Sequence, residues 1–256
     1  MPKVLKKNPM KLYGLIGFPL KHSFSQEYFT QKFIDENITN TEYRQFEMDK
    51  ISKLPELIKM YPDLLGLNIT IPYKKSVIPF LQHIEIAALQ IGSVNTLKIK
   101  RTESSTEVTG YNTDIIGFEK LLEGIDLQKI KSVIILGNGG SSAMVQFFFR
   151  TKKIETIVIS RKPGKDILTY NRLNKQLFTS VNMIINTTPL GMFPNIEETA
   201  PLPYALAHQD QIAIDLIYNP SETLFLKKFR KKGAHTINGL KMLHEQAEKS
   251  WHIWNE

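Results

Sequence analysis

Midway along the 256-residue chain, Gly137-Asn138-Gly139-Gly140-Ser141-Ser142 follows directly on the apolar run 133–136. A short continuous apolar run reads as a strand buried on both faces of a parallel sheet. Gly137 can take the tight turn out of that strand, and Gly139 lets backbone approach a pyrophosphate, because neither carries a Cβ. Ser142, standing where a third glycine is often found, and Ala143 supply small residues where a helix must pack closely on the strand. That helix continues through Met144, Val145, Phe147, Phe148 and Phe149, aiming its N-terminal N–H groups and dipole at the turn. The predicted chemistry is dinucleotide binding, with Gly137, Asn138, Gly139, Gly140 and Ser141 at the phosphates.

A second apolar run, 154–160, completes the order strand, glycine turn, helix, strand that such a site requires. It ends in Ser160-Arg161-Lys162. A ribose with free hydroxyls is usually met there by an acidic side chain, whereas a hydroxyl and two cations suit a 2′-phosphate. NADP is therefore favoured over NAD. A solvated basic turn is the competing account, and for Lys162 alone it is the better one.

Polar residues of other kinds gather outside this region. Ser23 and Ser25 are two apart, so in an extended segment both hydroxyls face one anion; a helix cap by Ser25, or by Ser23 with Gln26, explains them equally well. Asn68 and Thr70 alternate with apolar residues in a strand that stops at Pro72, leaving Lys74 just past a strand end, where α/β sheets place their chemistry. Ser93 and Asn95 notch a predicted strand over 91–97. Asn112-Thr113-Asp114 opens a helix, and capping would account for Asn112 or Thr113 without any special role for Asp114. Gln246 lies at the edge of the apolar stripe of the last helix, facing either a cleft or solvent.

The elements that hold these residues follow in order. A first strand is read over 11–17, then a helix carrying Tyr28, Phe29, Phe33 and Ile34, a strand near 41–46, a helix over 51–60 and the strand at 65–71. Residues 101–109 read as a polar loop. Beyond the glycine turn, 162–176 is mostly polar, a buried strand ends at Asn186-Thr187-Thr188, and a further strand spans 212–217. The last helix starts near Asn238-Gly239 and carries Leu240, Leu243, Ala247, Trp251 and Trp254 as its core stripe.

Composition narrows the class. Hydrophobic residues make up 42% of the chain, which is globular, and Cys is absent, so there is neither a disulfide framework nor a Cys-based metal site. The absence of Cys is compatible with a reducing cytosol. The net charge of +8 helps attract anionic ligands. Scattered basic pairs without an RNA-binding aromatic motif argue against a nucleic-acid role. Lys3, Lys6, Lys7 and Lys11 precede an apolar stretch, but Gly14, Gly17 and Pro19 interrupt it and no run has the length of a membrane span.

Eight stretches together resemble shikimate dehydrogenase over nearly the whole chain. They are His22-Ser23-Phe24-Ser25, Asn68-Ile69-Thr70-Ile71-Pro72-Tyr73-Lys74, Gly92-Ser93-Val94-Asn95-Thr96, Asn112-Thr113-Asp114, Gly137-Asn138-Gly139-Gly140-Ser141, Asn186-Thr187-Thr188-Pro189-Leu190-Gly191-Met192, Asp215-Leu216-Ile217-Tyr218-Asn219-Pro220 and Asn238-Gly239-Leu240. The resemblance implies an α/β protein of two domains. An α/β substrate-binding domain would take 1–109 plus 237–256, and a Rossmann-like, doubly wound NADP-binding domain 110–236. It implies reduction of 3-dehydroshikimate to shikimate on the route to chorismate and the aromatic amino acids, by a cytoplasmic monomer or homodimer. Lys74 and Asp114 would be catalytic. Ser23 and Ser25 would hold the substrate carboxylate, with Asn68, Thr70, Asn95, Tyr218 and Gln246 around its ring. Thr187, Met192 and Gly239 would join the glycine turn and Ser160, Arg161 and Lys162 at the cofactor. The chain departs from the family pattern at Gln26 (usually Pro), at Tyr111 (often Asp) and at Ser160-Arg161-Lys162 (Asn-Arg-Thr), which leaves Arg161 as the transferable phosphate contact.

Three other readings compete. A quinate/shikimate dehydrogenase using NAD would be marked by an acidic residue after the second strand, and Arg161 argues against it. The methylenetetrahydrofolate dehydrogenases share the two-domain plan, but a serine pair suits a small carboxylate better than a folate. A non-catalytic, cofactor-sensing module would have no use for Lys74 and Asp114.

Overall fold

A computed structural model describes residues 10–20 and 24–256. The chain divides into two compact units, Met1–Thr113 with Lys249–Glu256, and Asp114–Glu248.

The first unit is built on β1 (Lys11–Gly17), β2 (Thr41–Glu47), β3 (Leu64–Ile69), β4 (His83–Ile84), β5 (Thr96–Arg101) and β6 (Thr106–Tyr111). They form one mixed sheet in the order β2-β1-β3-β5-β6-β4. Parallel pairing of β1 with β2 and β3 requires crossovers, supplied by α1 (Phe24–Asp35) and α2 (Leu54–Met60). Along β1 the side chains alternate between two cores. Leu12 and Ile16 join Leu54, Leu67, Val94 and Leu97 on one face. Tyr13 turns to the other, where it stacks on Trp254 with centroids 4.8 Å apart. Trp254 comes from α8 (Leu240–Asn255) and lies so close to β3 that a Cβ on Gly66 would sit 2.2 Å from its Nε1.

Two expectations are corrected here. Residues 91–97 are not one strand: Ile91 closes α3 (Ile86–Ile91), Gly92 turns the chain out of it at φ 68, and β5 starts only at Thr96. A left-handed glycine ending a helix is a backbone decision that an apolar run hides. Residues 101–109 are not a loop throughout, because β6 returns antiparallel to β5. Its buried residues are Val108 and Gly110, and a glycine on the core face leaves little hydrophobic alternation to read.

The second unit holds a wholly parallel sheet in the order β12-β11-β10-β7-β8-β9. Its strands are β7 (Ser132–Leu136), β8 (Glu155–Ser160), β9 (Ile167–Thr169), β10 (Met183–Asn186), β11 (Ile212–Asp215) and β12 (His235–Ile237). Numbered within the unit this is 3-2-1-4-5-6, the doubly wound order, whose reversal between β7 and β10 opens a crevice at the strand ends. The helices are α4 (Asp114–Leu121), α5 (Gly140–Thr151), α6 (Lys175–Ser180) and α7 (Leu224–Arg230), with Phe118 of α4 edge-on to Phe148 and Phe149 of α5. β9 and β12 were not expected; three residues at a sheet edge are too few to show a period.

The bounds of the units differ from 109 and 237 for two reasons. β6 carries the first sheet on to Tyr111. The front of α8 packs on α4, where a Cβ on Gly117 would lie 2.4 Å from the Met242 carbonyl oxygen. The helix thus changes its buried stripe along its length: Met242, Ala247, Ser250, Ile253 and Trp254 are buried, whereas Leu240, expected in the core, is 40% exposed.

Candidate active site

In the first unit the relevant residues collect at the C-terminal end of β3. Asn68 is buried and bonded at both ends of its amide. Its Oδ1 accepts from the Tyr43 phenol at 2.8 Å, and its Nδ2 donates to Ser250 Oγ at 3.0 Å and Thr96 Oγ1 at 3.2 Å. Asn95 accepts the Thr113 backbone N–H on Oδ1 at 2.7 Å and donates from Nδ2 to Thr113 Oγ1 at 2.9 Å. Ser250 Oγ lies 2.8 Å from Thr96 Oγ1 and 3.1 Å from Thr113 Oγ1. Asn68 and Asn95 are thereby joined in one buried network of uncharged groups. Fully satisfied networks of this kind hold side chains in a single arrangement.

Beyond β3, Thr70 is half-buried and anchors the chain through its N–H to the Ile16 carbonyl at 2.9 Å. The following turn is pinned by Tyr73, whose phenol donates to the Met48 carbonyl, and by the Lys74 carbonyl, which accepts from Val94 N–H at 2.7 Å. Lys74 itself is half-buried. Ser25 is the second residue of α1, and its hydroxyl bonds to the Tyr43 phenol. Ser23 lies outside the described residues.

In the second unit the glycine turn has the geometry its residues suggest. Gly137 leaves β7 at φ 107, a conformation that disfavours any side chain, and a Cβ there would sit 2.8 Å from Thr187 Oγ1. Gly139 caps α5, and a Cβ there would meet no described atom within 4 Å. Gly140 and Ser141 open the helix, and Asn138 is exposed before it. Ser142 in place of the third glycine is fully buried, donating to the Gly137 carbonyl at 2.7 Å and so fastening helix to turn. Thr187, after β10, donates from Oγ1 to the Leu136 carbonyl at 2.6 Å, beside the same turn. Ser160 ends β8, with Arg161 and Lys162 exposed after it. Together these groups form a strand-to-helix turn whose helix N-terminus could receive an anion, with cations at the next strand end.

The remaining expected residues of this unit stand on neighbouring turns. Met192 is 41% exposed after Gly191, and Tyr218 is half-buried past the end of β11. Gly239 is buried just ahead of α8, its N–H donating to the Ile217 carbonyl at 3.0 Å. Asp114 is the buried first residue of α4, and Gln246 lies on α8, its Cβ 3.2 Å from where a Cβ on Gly117 would be.

Asp215 had no expected role, yet it ties two of these turns together. Its Oδ1 accepts from Asn186 Nδ2 at 3.0 Å and from Ile217 N–H at 3.0 Å, and its Oδ2 from Thr223 Oγ1 at 2.6 Å. Burial pushes the carboxyl from 3.8 up to about 6, and the three donors only partly offset it. The folded form therefore binds this proton more tightly than the unfolded chain. The associated stability is present below about pH 4 and is lost as pH rises through about 6. Asp215→Asn, which cannot ionise, is expected to gain on the parent by about 2–3 kcal/mol between pH 4 and 7 in urea unfolding. A constant difference across that range would remove the carboxylate as its cause. Tyr43 and Ser250 were likewise missed, since an isolated hydroxyl in a strand or helix carries no pattern, and Thr113, read as a helix cap, also bonds Asn95 and Ser250.

Known proteins are similar to this chain in sequence and fold. The family model described as the shikimate dehydrogenase substrate binding domain matches residues 15–97. The shikimate dehydrogenase (NADP(+)) of Methanococcus maripaludis is 38% identical, covering 95% of this chain and 91% of the relative. The crystal structure of shikimate dehydrogenase 1 from Peptoclostridium difficile is 36% identical, with a TM-score of 0.82 over 96% of this chain and 92% of that one. Shikimate 5-dehydrogenase from Thermus thermophilus, solved in complex with NADP(H) and shikimate, is 26% identical, with a TM-score of 0.82 over 96% and 93%. With likeness at this level across both units, the chain belongs to the shikimate dehydrogenase family.

Proposed function

We propose that the protein catalyses the reversible NADPH-dependent reduction of 3-dehydroshikimate to shikimate, an oxidoreductase step on a CH–OH group that serves chorismate and aromatic amino acid biosynthesis. The observation that carries this reading is the buried shell of amides and hydroxyls around Asn68 and Asn95, in a chain of this family. Such groups suit a polyol, because uncharged amides and hydroxyls can both donate to and accept from substrate hydroxyls. The Thermus relative, solved with NADP(H) and shikimate, supports the same substrates. The enzyme acts in the cytoplasm as a monomer or homodimer.

The glycine turn fits a dinucleotide, since φ 107 at Gly137 and the open side of Gly139 let backbone N–H groups face a pyrophosphate. Gly137, Asn138, Gly139, Gly140 and Ser141 hold it, with Thr187, Met192 and Gly239 on adjoining turns. Arg161, helped by Ser160 and Lys162, takes the 2′-phosphate. NADPH, when bound, supplies the hydride. Lys74 donates a proton to the developing alkoxide oxygen and takes it back in the reverse direction. Asp114 accepts from a neighbouring substrate hydroxyl. Ser23 and Ser25 hold the carboxylate, while Asn68, Thr70, Asn95, Tyr218 and Gln246 orient the ring.

The test is loss of reduced-nicotinamide absorbance with 3-dehydroshikimate, run with NADPH and NADH, and the reverse reaction with shikimate and quinate. Turnover confined to NADPH and shikimate is the expected result. Preference for NADH or quinate would overturn it in favour of the broader relatives. Arg161→Ala is expected to raise KM for NADP by about 10–100-fold and leave KM for NAD unchanged, as loss of a charge-assisted contact to one phosphate requires. Equal effects on both cofactors would show that Arg161 does not read the 2′ position.

A further inference from the structure

Two tyrosines lie opposite one another on adjacent strands of the first sheet, Tyr13 on β1 and Tyr43 on β2. Both are buried, yet their hydroxyls differ. Tyr13 makes no hydrogen bond through its phenol among the described residues. The Tyr43 phenol donates to Asn68 Oδ1 at 2.8 Å and is bonded by the Ser25 hydroxyl. Its ring is held by stacking on Phe29, centroids 4.5 Å apart and planes inclined by 17°. One oxygen thus connects α1 to β3, and each of the two side chains it touches is assigned above to the substrate.

We propose that Tyr43 is a positioning residue for substrate recognition, fixing the Ser25 hydroxyl and the Asn68 amide relative to one another. This rests on the functional reading given above. The donor arrangement follows from the inventory of groups. Asn68 Nδ2 is turned toward Ser250, Thr96 and the Asn95 carbonyl, which places Oδ1 toward Tyr43. Oδ1 is acceptor-only, so the single phenolic proton goes to it, and the Ser25 hydroxyl must then be the donor to the phenol oxygen. Without the phenol oxygen, Asn68 would keep a buried acceptor with no donor, and the Ser25 hydroxyl would lose its bond to β2. The ring would keep its packing, because phenylalanine has the same shape. Tyr43 therefore acts through Asn68 and Ser25 and makes no contact with the reacting atoms.

The experiment is steady-state kinetics of Tyr43→Phe, with Tyr13→Phe as the control for losing a buried phenol. Tyr43→Phe is expected to raise KM for shikimate about tenfold, the effect of one buried hydrogen bond, with a smaller fall in kcat and KM for NADP within twofold. Tyr13→Phe should leave all three unchanged. Combining Tyr43→Phe with Ser25→Ala should raise KM by less than the product of the separate effects, since both remove the same link. Ser250→Ala, which removes one of the three acceptors facing Asn68 Nδ2 without touching Tyr43, should raise the same KM by a smaller factor and tests the positioning of Asn68 even where Tyr43→Phe is insoluble. A lower unfolding midpoint with KM for shikimate within twofold would reduce Tyr43 to a packing residue and overturn the proposal. A parent enzyme that turns over no shikimate would overturn the functional reading and this inference together.

Discussion

Replacing Lys74 with alanine is expected to lower turnover of shikimate by about 10²–10⁴-fold, the range for removing a positioned acid–base group, while KM for shikimate changes by less than about tenfold. The asymmetry follows from where the residue sits. Its backbone is locked by the Val94 N–H at 2.7 Å, and its neighbour Tyr73 is buried with its phenol bonded to Met48. A turn fastened on both sides will not collapse when one side chain is shortened, so the loss falls on chemistry. Lys74→Arg is expected to be nearly as slow, because a guanidinium holds its proton far more tightly and has a different shape. Single-turnover measurements with saturating NADP would separate the chemical step from release. A turnover number equal to that of the parent would remove Lys74 from the mechanism.

Which parts of this molecule can be read from residues alone depends on what holds them. The strand, glycine turn and helix at 132–151 were legible because each uses a distinct signal: an apolar run, residues without Cβ, and apolar positions at helical spacing. The end of β3 was legible for a similar reason to within two residues, since a proline cannot continue a central strand; the strand, expected to reach 71, ends at Ile69, and Lys74 lies past it. Short edge strands were not, because β9 and β12 are held by backbone pairing to β8 and β11 and need no side-chain pattern. Nor was the buried network. Tyr43, Thr113 and Ser250 come from a strand, a turn and the last helix, and only the fold brings their hydroxyls within bonding distance of Asn68 and Asn95. The helix 240–255 shows both cases. Its heptad-like stripe is visible in the sequence, but the exchange of Leu240 for Ser250 and Ile253 in the core arises because its front half meets α4 and its back half meets the first sheet.

Gly239→Ala is expected to lower stability by more than about 4 kcal/mol, at the extreme of single substitutions, whereas Gly139→Ala should leave stability unchanged or raise it by up to about 1 kcal/mol. Both glycines fall in stretches assigned to the cofactor, and they differ in what surrounds them. A Cβ on Gly239 would lie 2.1 Å from the Leu216 carbonyl oxygen and 2.5 Å from its carbon, both backbone atoms of the segment leading out of β11. That segment cannot simply retreat, because the Gly239 N–H is bonded to the Ile217 carbonyl at 3.0 Å and the Gly239 carbonyl accepts from Leu243 at 3.0 Å as α8 begins. Relief would break one of these bonds or shift the turn that carries Tyr218. At Gly139 the backbone is extended, φ −80 and ψ −164, which alanine adopts without strain, and the added methyl would meet no described atom within 4 Å. Its effect should appear instead in the cofactor: the methyl would occupy the side of the turn assigned to the pyrophosphate, raising KM for NADP by about tenfold or more through loss of close backbone approach. Urea unfolding of each variant beside NADP titrations separates the two cases. Stability of Gly239→Ala within about 1 kcal/mol of the parent would show that the turn yields more easily than its hydrogen bonds imply. An unchanged KM for NADP in Gly139→Ala would move the pyrophosphate away from that face and leave Gly137 as the glycine that shapes the turn.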